Sequence, residues 1–90
     1  MDNMRITWDK PAEESFQKIL QQIPDMVRGI AEVRIFKKAE SILREENRSV
    51  IEEKDMVHAF FAETPSIFVG AMKESMQELG IDYTKYGYTK

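Results

Sequence analysis

The sequence predicts an all-α domain of about four helices with a long central one. Three observations carry that prediction. Apolar residues recur at helical spacing in separate segments along the chain. No stretch sustains the alternation of a half-buried strand. Proline and glycine stand at few positions: Pro11, Pro24, Gly29, Pro65, Gly70, Gly80 and Gly87. Between the prolines and Gly80 the pattern stays helical.

The first helix is expected over residues 11–21. A residue before proline avoids the α region, so Lys10 should lie outside and Pro11 should open the helix. Glu13 and Glu14 then occupy the first turn, where the helix dipole favours anions. Ala12, Phe16, Ile19, Leu20 and Ile23 fall at i, i+4, i+7, i+8 and i+11, one apolar face. Ile23-Pro24 ends it.

A long second helix should run from about Asp25 to Asn47. Its apolar set includes Met26, Val27, Ile30, Ala31, Val33, Ile35, Phe36, Ala39, Ile42 and Leu43, more than one narrow stripe. A helix apolar over so much of its circumference is packed on two sides. Ser49-Val50-Ile51 is too short for a core strand but can make a small β bridge. Residues 52–63 read as a third helix with Met56, Val57, Phe60 and Phe61 inward. Thr64 should cap a fourth helix that Pro65 opens. Ile67, Phe68, Ala71, Met72, Met76 and Leu79 mark its face, and Gly80 stops it. The remainder, 81–90, has no helical period and repeats Tyr-Thr-Lys at 83–85 and 88–90. The expected organisation is one helical domain over 1–80, its fourth helix at about 65–80, and a Tyr-rich tail that frays.

Composition narrows the chemistry. The 90 residues carry 13 Lys plus Arg against 16 Asp plus Glu, a net charge of -3. With 42% hydrophobic and 32% charged residues the chain reads as a globular domain with one core. Cysteine is absent and His58 is the single histidine, so neither a thiolate nucleophile nor a multi-histidine metal site is expected. No cofactor and no metal are therefore expected. No apolar run approaches the length of a membrane span, and Met1–Asp9 lacks a signal-peptide core. The expected setting is soluble and cytoplasmic.

Three function classes compete. Catalysis finds little support: His58 sits on a helix as an ordinary histidine would, and Glu13/Glu14, Glu45/Glu46 and Glu52/Glu53 are sequence neighbours that do not face each other. Nucleic-acid binding would rest on Arg34, Lys37, Lys38, Arg44 and Arg48, but Glu32, Glu40, Glu45 and Glu46 interleave with them. Glu40 and Arg44 instead suit an i, i+4 ion pair. Protein binding has more in its favour. Met1, Met4, Met26, Met56, Met72 and Met76 are adaptable contact residues, and Phe68, Met72, Met76 and Leu79 form a surplus apolar edge suited to a homodimer or a partner protein.

Trp8 is followed by Ala12 and then by Ile23-Pro24-Asp25-Met26-Val27-Arg28-Gly29. In this order the chain resembles the small C-terminal domain of the B subunit of light-independent protochlorophyllide reductase, whose second helix opens on an Ile-Pro-Phe-Val-Arg-like signature. Ala39, Ile51 and Val57 continue the likeness, over about Trp8 to Ala62. Phe36 stands where that family has an acidic residue, and the stretch between Ala39 and Ile51 is longer by about one turn. The resemblance implies a free-standing, non-catalytic accessory module, at most a helper of an oxidoreductase. It makes Trp8, Ile23, Pro24, Val27 and Arg28 candidate interaction residues. Ile23 and Val27 should be buried on either side of the Pro24 turn, with Trp8 over the start of the first helix. Arg28 would cap carbonyls or pair with a nearby acid; on the resemblance it would face a partner carboxylate or a tetrapyrrole propionate. A second resemblance is to the histone fold, carried by Ile51, Asp55 and Ala59 after a long helix. It implies a dimer with a nucleic-acid or nucleoprotein role.

Overall fold

The computed structural model describes residues 5–90. Met1 and Met4, two of the six candidate contact methionines, lie outside the described residues. The fold is all-α. Helix α1 spans Lys10–Gln21, α2 Asp25–Glu45, α3 Glu53–Glu63 and α4 Val69–Glu78. Two short strands, β1 (Thr7–Trp8) and β2 (Val50–Ile51), pair in parallel with Thr7 opposite Val50 and Trp8 opposite Ile51. The amides of Thr7 and Asp9 donate to the carbonyls of Ser49 and Ile51, both at 2.9 Å. The Val50-Ile51 bridge expected from sequence therefore exists, and its partner is the segment before α1.

The core draws on all four helices and β2. Phe16 and Leu20 come from α1, Ile35, Ala39 and Leu43 from α2, Ile51 from β2, Met56, Val57 and Phe60 from α3, and Met72 and Met76 from α4. The most extensive packing is between α2 and α3. Burying each of the large side chains contributes on the order of 1.5–3 kcal/mol.

Two helix ends are closed by the same device. At the end of α4, Gly80 takes φ +76°, its amide donates to Gln77 and the amide of Ile81 donates to Met76. At the end of α2, Asn47 takes φ +56°, its amide donates to Arg44 and the amide of Arg48 donates to Leu43. Both are Schellman closures, which need one left-handed residue; Gly and Asn are the residues that tolerate it. The closure at Asn47 also turns Arg48 back toward α3, where it meets Asp55.

Several expectations are corrected. Lys10 lies inside α1, whose N-cap is Asp9, so the helix starts one residue before Pro11. Thr64 caps the C-terminus of α3 and its hydroxyl contacts the Met72 sulfur at 3.3 Å. The fourth helix is split. Pro65, extended at φ −57° and ψ 146°, opens a 3₁₀ turn over Ser66–Phe68, and α4 follows it. The tail packs on the bundle. Ile81 and Tyr83 are buried in the core, and a second 3₁₀ turn, Tyr83–Tyr86, packs on α3. No helical period marks this segment, since only a few of its side chains reach inward.

Candidate functional site

Helix α2 has two faces of different character. Its buried side chains, Ile35, Ala39 and Leu43, follow at i, i+4 and i+8 and all lie in the second half. The helix is about 31 Å long at 1.5 Å per residue, while α3 is about half that length. The first half therefore outruns its cover. There Met26 is 93% exposed, Val27 48%, Ile30 60% and Val33 53%. Met26, Ile30 and Val33 follow at i, i+4 and i+7, so they share one stripe on the side away from the core. Toward the C-terminus the same side continues with Lys37, Ser41 and Arg44, all exposed.

Beside Val33 the stripe meets a cleft of about 430 Å³ between α1 and α2. Its apolar lining is Trp8, Phe16, Val33 and Phe36, and Glu13, Gln17, Glu32, Lys37 and Glu40 line it as well. Trp8 reaches it because the β1–β2 pairing holds the N-terminal strand beside Ile51. Its ring stacks on Phe16 with centroids 4.7 Å apart and planes at 22°, and lies 6.4 Å from Phe36. Trp8 therefore covers α1 as expected and also lines this cleft. Phe36 adds apolar wall to it.

The Ile23–Arg28 corner is a structural device. Pro24 forms the N-cap of α2, and its carbonyl accepts from the amides of Val27 and Arg28. Arg28 Nε donates to the Leu20 carbonyl at 2.9 Å, and Nη2 donates to Ile23 at 2.8 Å and Gln21 at 3.3 Å. Nη1 pairs with Asp25 at 2.7 Å. Arg28 thus donates to carbonyls at and just beyond the end of α1 and supplies positive charge where the helix dipole favours it. Both structural roles expected of it, capping and pairing, are realised together. Ile23 is half-buried against the core. Val27 is 48% exposed on the uncovered half of α2, about a quarter turn from the Met26–Ile30–Val33 stripe, so the expectation that it is buried is corrected.

The other candidate edge is not one surface. Met72 and Met76 are buried, Leu79 is half-buried against the core, and Phe68 is exposed with Ile67 on the 3₁₀ turn. Helix α4 folds back over the bundle, where the Ser75 hydroxyl donates to the Gln22 side-chain carbonyl at the end of α1. Its methionines are consumed by that docking.

Arg44 and Arg48, two of the five basic residues weighed for nucleic acid, pair with acids. Arg44 pairs with Glu40 at 3.7 Å. Arg48 turns inward: Nη1 and Nη2 both donate to the carboxylate of Asp55, and Nε donates to Glu46 at 2.7 Å. Asp55 is 1% exposed, and it also accepts from the Glu52 amide at 2.8 Å as part of a capping box. The carboxylates hold the Arg48 guanidinium charged even more firmly than usual. Sequence reasoning read Arg48 as a surface base; the available signal was the Glu52/Asp55 spacing of a cap and its third helical residue.

His58 is similarly occupied. Its Nδ1 lies 2.6 Å from the Tyr88 hydroxyl, and the Tyr88 ring stacks on Phe61 at 3.8 Å. Tyr86 donates to Glu53 at 2.6 Å; burial, with that carboxylate beside it, pushes its pKa up to about 12. Burial also raises Tyr88. Among the described residues, no three His, Asp or Glu side chains gather in an arrangement that could hold a metal ion, and no helix is long and apolar enough to cross a membrane.

Across residues 1–89 the sequence matches the model of a family described as a protein of unknown function, DUF2621. No curated protein and no solved structure matches it.

Proposed function

We propose that this chain, which belongs to the DUF2621 family, is a non-catalytic protein-interaction module that docks through the outward side of the first half of α2. The observation that carries this reading is the exposure of Met26, Val27, Ile30 and Val33 on one short stretch of helix. Scattered apolar residues are normal on a surface, whereas a contiguous run bordered by charge marks a contact site. The stripe has such a border in Asp25 at one end and Arg34 and Lys37 at the other. The cleft with Trp8 and Phe36 extends it, and aromatic side chains with methionine are the residues that interface centres favour. The likeness of the Trp8–Ala62 stretch to a reductase accessory domain agrees with a helical unit that serves an assembly. The tetrapyrrole role considered for Arg28 gains no support from a guanidinium already committed to three carbonyls and Asp25.

The test is paired affinity capture from the source cells, with the native chain and an Ile30→Glu variant as baits. Proteins that co-purify with the native bait should be lost with the variant, while its helical circular dichroism stays unchanged. Identical captures with both baits would show that this face is not the docking surface.

A further inference from the structure

We infer that the α2 face is built to receive a second copy of this chain, with the two α2 helices antiparallel and Met26 of each copy seated in the cleft of the other. This rests on the proposed interaction role and names its partner. The face carries both a knob and a hole. Met26, the most exposed large apolar side chain described, stands at one end of the stripe. The cleft floored by Trp8, Phe16 and Phe36 opens beside the other end, about ten residues or roughly 15 Å further along the helix. A twofold axis near Ile30, midway between them, brings each knob onto the partner's hole. That is the requirement of an isologous contact, in which residue i meets j while j meets i. The cleft, at about 430 Å³, has room for a thioether side chain, and sulfur against aromatic rings is a favourable contact.

Charge selects the same orientation. Along the stripe side of α2 the charge runs from Asp25 to Arg34 and Lys37, while the exposed Glu32 lies on the cleft side. In a parallel pair Asp25 would face Asp25 and Lys37 would face Lys37. In an antiparallel pair centred near Ile30, Lys37 of one copy reaches the Pro24–Asp25 corner of the other. The Asp25 side chain is 89% exposed although it pairs with Arg28, so it can take a second cation.

Gly29 adds a third feature. It lies inside α2 between Met26 and Val33, and a Cβ there would meet nothing within 4 Å in its own chain. Glycine inside a helix is destabilising relative to alanine. Neither a positive φ nor a close neighbour within the chain requires it. At an antiparallel crossing it lets the facing helix approach closely.

Sedimentation equilibrium of the full chain over a wide concentration range tests the pairing, with Trp8, the single tryptophan, as a local reporter. The native chain should shift with concentration from 10.5 kDa to twice that mass, and Trp8 emission should change along the same curve. Ile30→Glu should weaken the dimer by at least about 30-fold, as expected for a central contact residue. Asp25→Lys should weaken it, and adding Lys37→Glu in the same chain should recover part of the loss. Every substitution is at an exposed position, and circular dichroism verifies the fold of each. A native chain that stays at 10.5 kDa throughout, with constant Trp8 emission, overturns the self-pairing. So does a dimer that a folded Ile30→Glu variant retains unchanged. If the chain is monomeric yet loses its captured proteins on Ile30→Glu, the self-pairing falls and the interaction module stands.

Discussion

Arg48 and Asp55 form a two-pronged ion pair that ties the exit loop of α2 to the first turn of α3, with both guanidinium Nη atoms donating to the two carboxylate oxygens. Asp55 is buried and Arg48 is not, so the pair draws a surface arginine over a buried anion. Three local choices make it. Asn47 closes α2 in the left-handed conformation and delivers Arg48; Glu52 caps α3; and Asp55 is the third helical residue of the capping box.

Removing the arginine leaves the buried Asp55 charge without its partner. Arg48→Ala should destabilise the chain by about 3–5 kcal/mol, measured by urea denaturation. Arg48→Lys should recover only part of this, because a single ammonium cannot span both oxygens. An Arg48→Ala loss below about 1 kcal/mol would place the pair with weak surface bridges.

The left-handed geometry at Asn47 predicts an asymmetric pair of substitutions. Asn47→Gly should be neutral or slightly stabilising, since glycine adopts φ +56° freely. Asn47→Val should cost about 1–2 kcal/mol, because a branched Cβ crowds the following carbonyl. Thermal melts of the two variants compare them directly, and equal melting temperatures would contradict the closure described.

Tyr83 should behave as a core residue despite its place near the C-terminus. It is buried beside Phe61 and its hydroxyl accepts from Gln77 at 3.1 Å. Tyr83→Ala should cost about 3–5 kcal/mol. Tyr83→Phe keeps the ring and should cost only about 1 kcal/mol for the lost hydrogen bond. Amide exchange along 81–90 gives an independent check: the Ile81 amide, bonded to Met76, should be protected well beyond that of a frayed end.

The C-terminal segment should loosen in alkali. Burial, reinforced by the Glu53 carboxylate, raises Tyr86 to about 12, so the folded chain favours the neutral phenol. The stabilisation is fully present below the ordinary tyrosine value near 10 and is lost as pH rises from about 10 to about 12. Tyrosinate absorbance should show a late-titrating phase in this window that Tyr86→Phe diminishes, Tyr88 being raised as well. All tyrosines titrating together near pH 10 would count against the Tyr86–Glu53 contact.

The helices were legible in the sequence because each carries its own period and its own punctuation. Pro24 marks the turn between α1 and α2, Gly80 the end of α4, and the i, i+4 spacing of Phe16 and Leu20 the buried side of α1. These are local signals, and a one-residue error at Lys10 or a 3₁₀ turn at Ser66–Phe68 leaves them intact. The candidate site was legible only in outline. Broad apolar coverage of α2 was visible, but which of its sides would stay uncovered was not.

That second matter belongs to long-range packing. Periodicity says that Met72 and Met76 share a face with Leu79; only the docking of α4 on the end of α1 decides that the face turns inward. It says equally that Met26, Ile30 and Val33 share a face, and the short reach of α3 along α2 leaves this one in solvent. Arg48 and Asp55, and Tyr86 and Glu53, meet because a loop and a tail return to one helix. Where backbone hydrogen bonds close, and which residues are apolar, can be read along the chain, since both depend on neighbours within a turn. Burial depends on residues brought together from far apart in the chain, and for α2 that is the difference between core and contact surface.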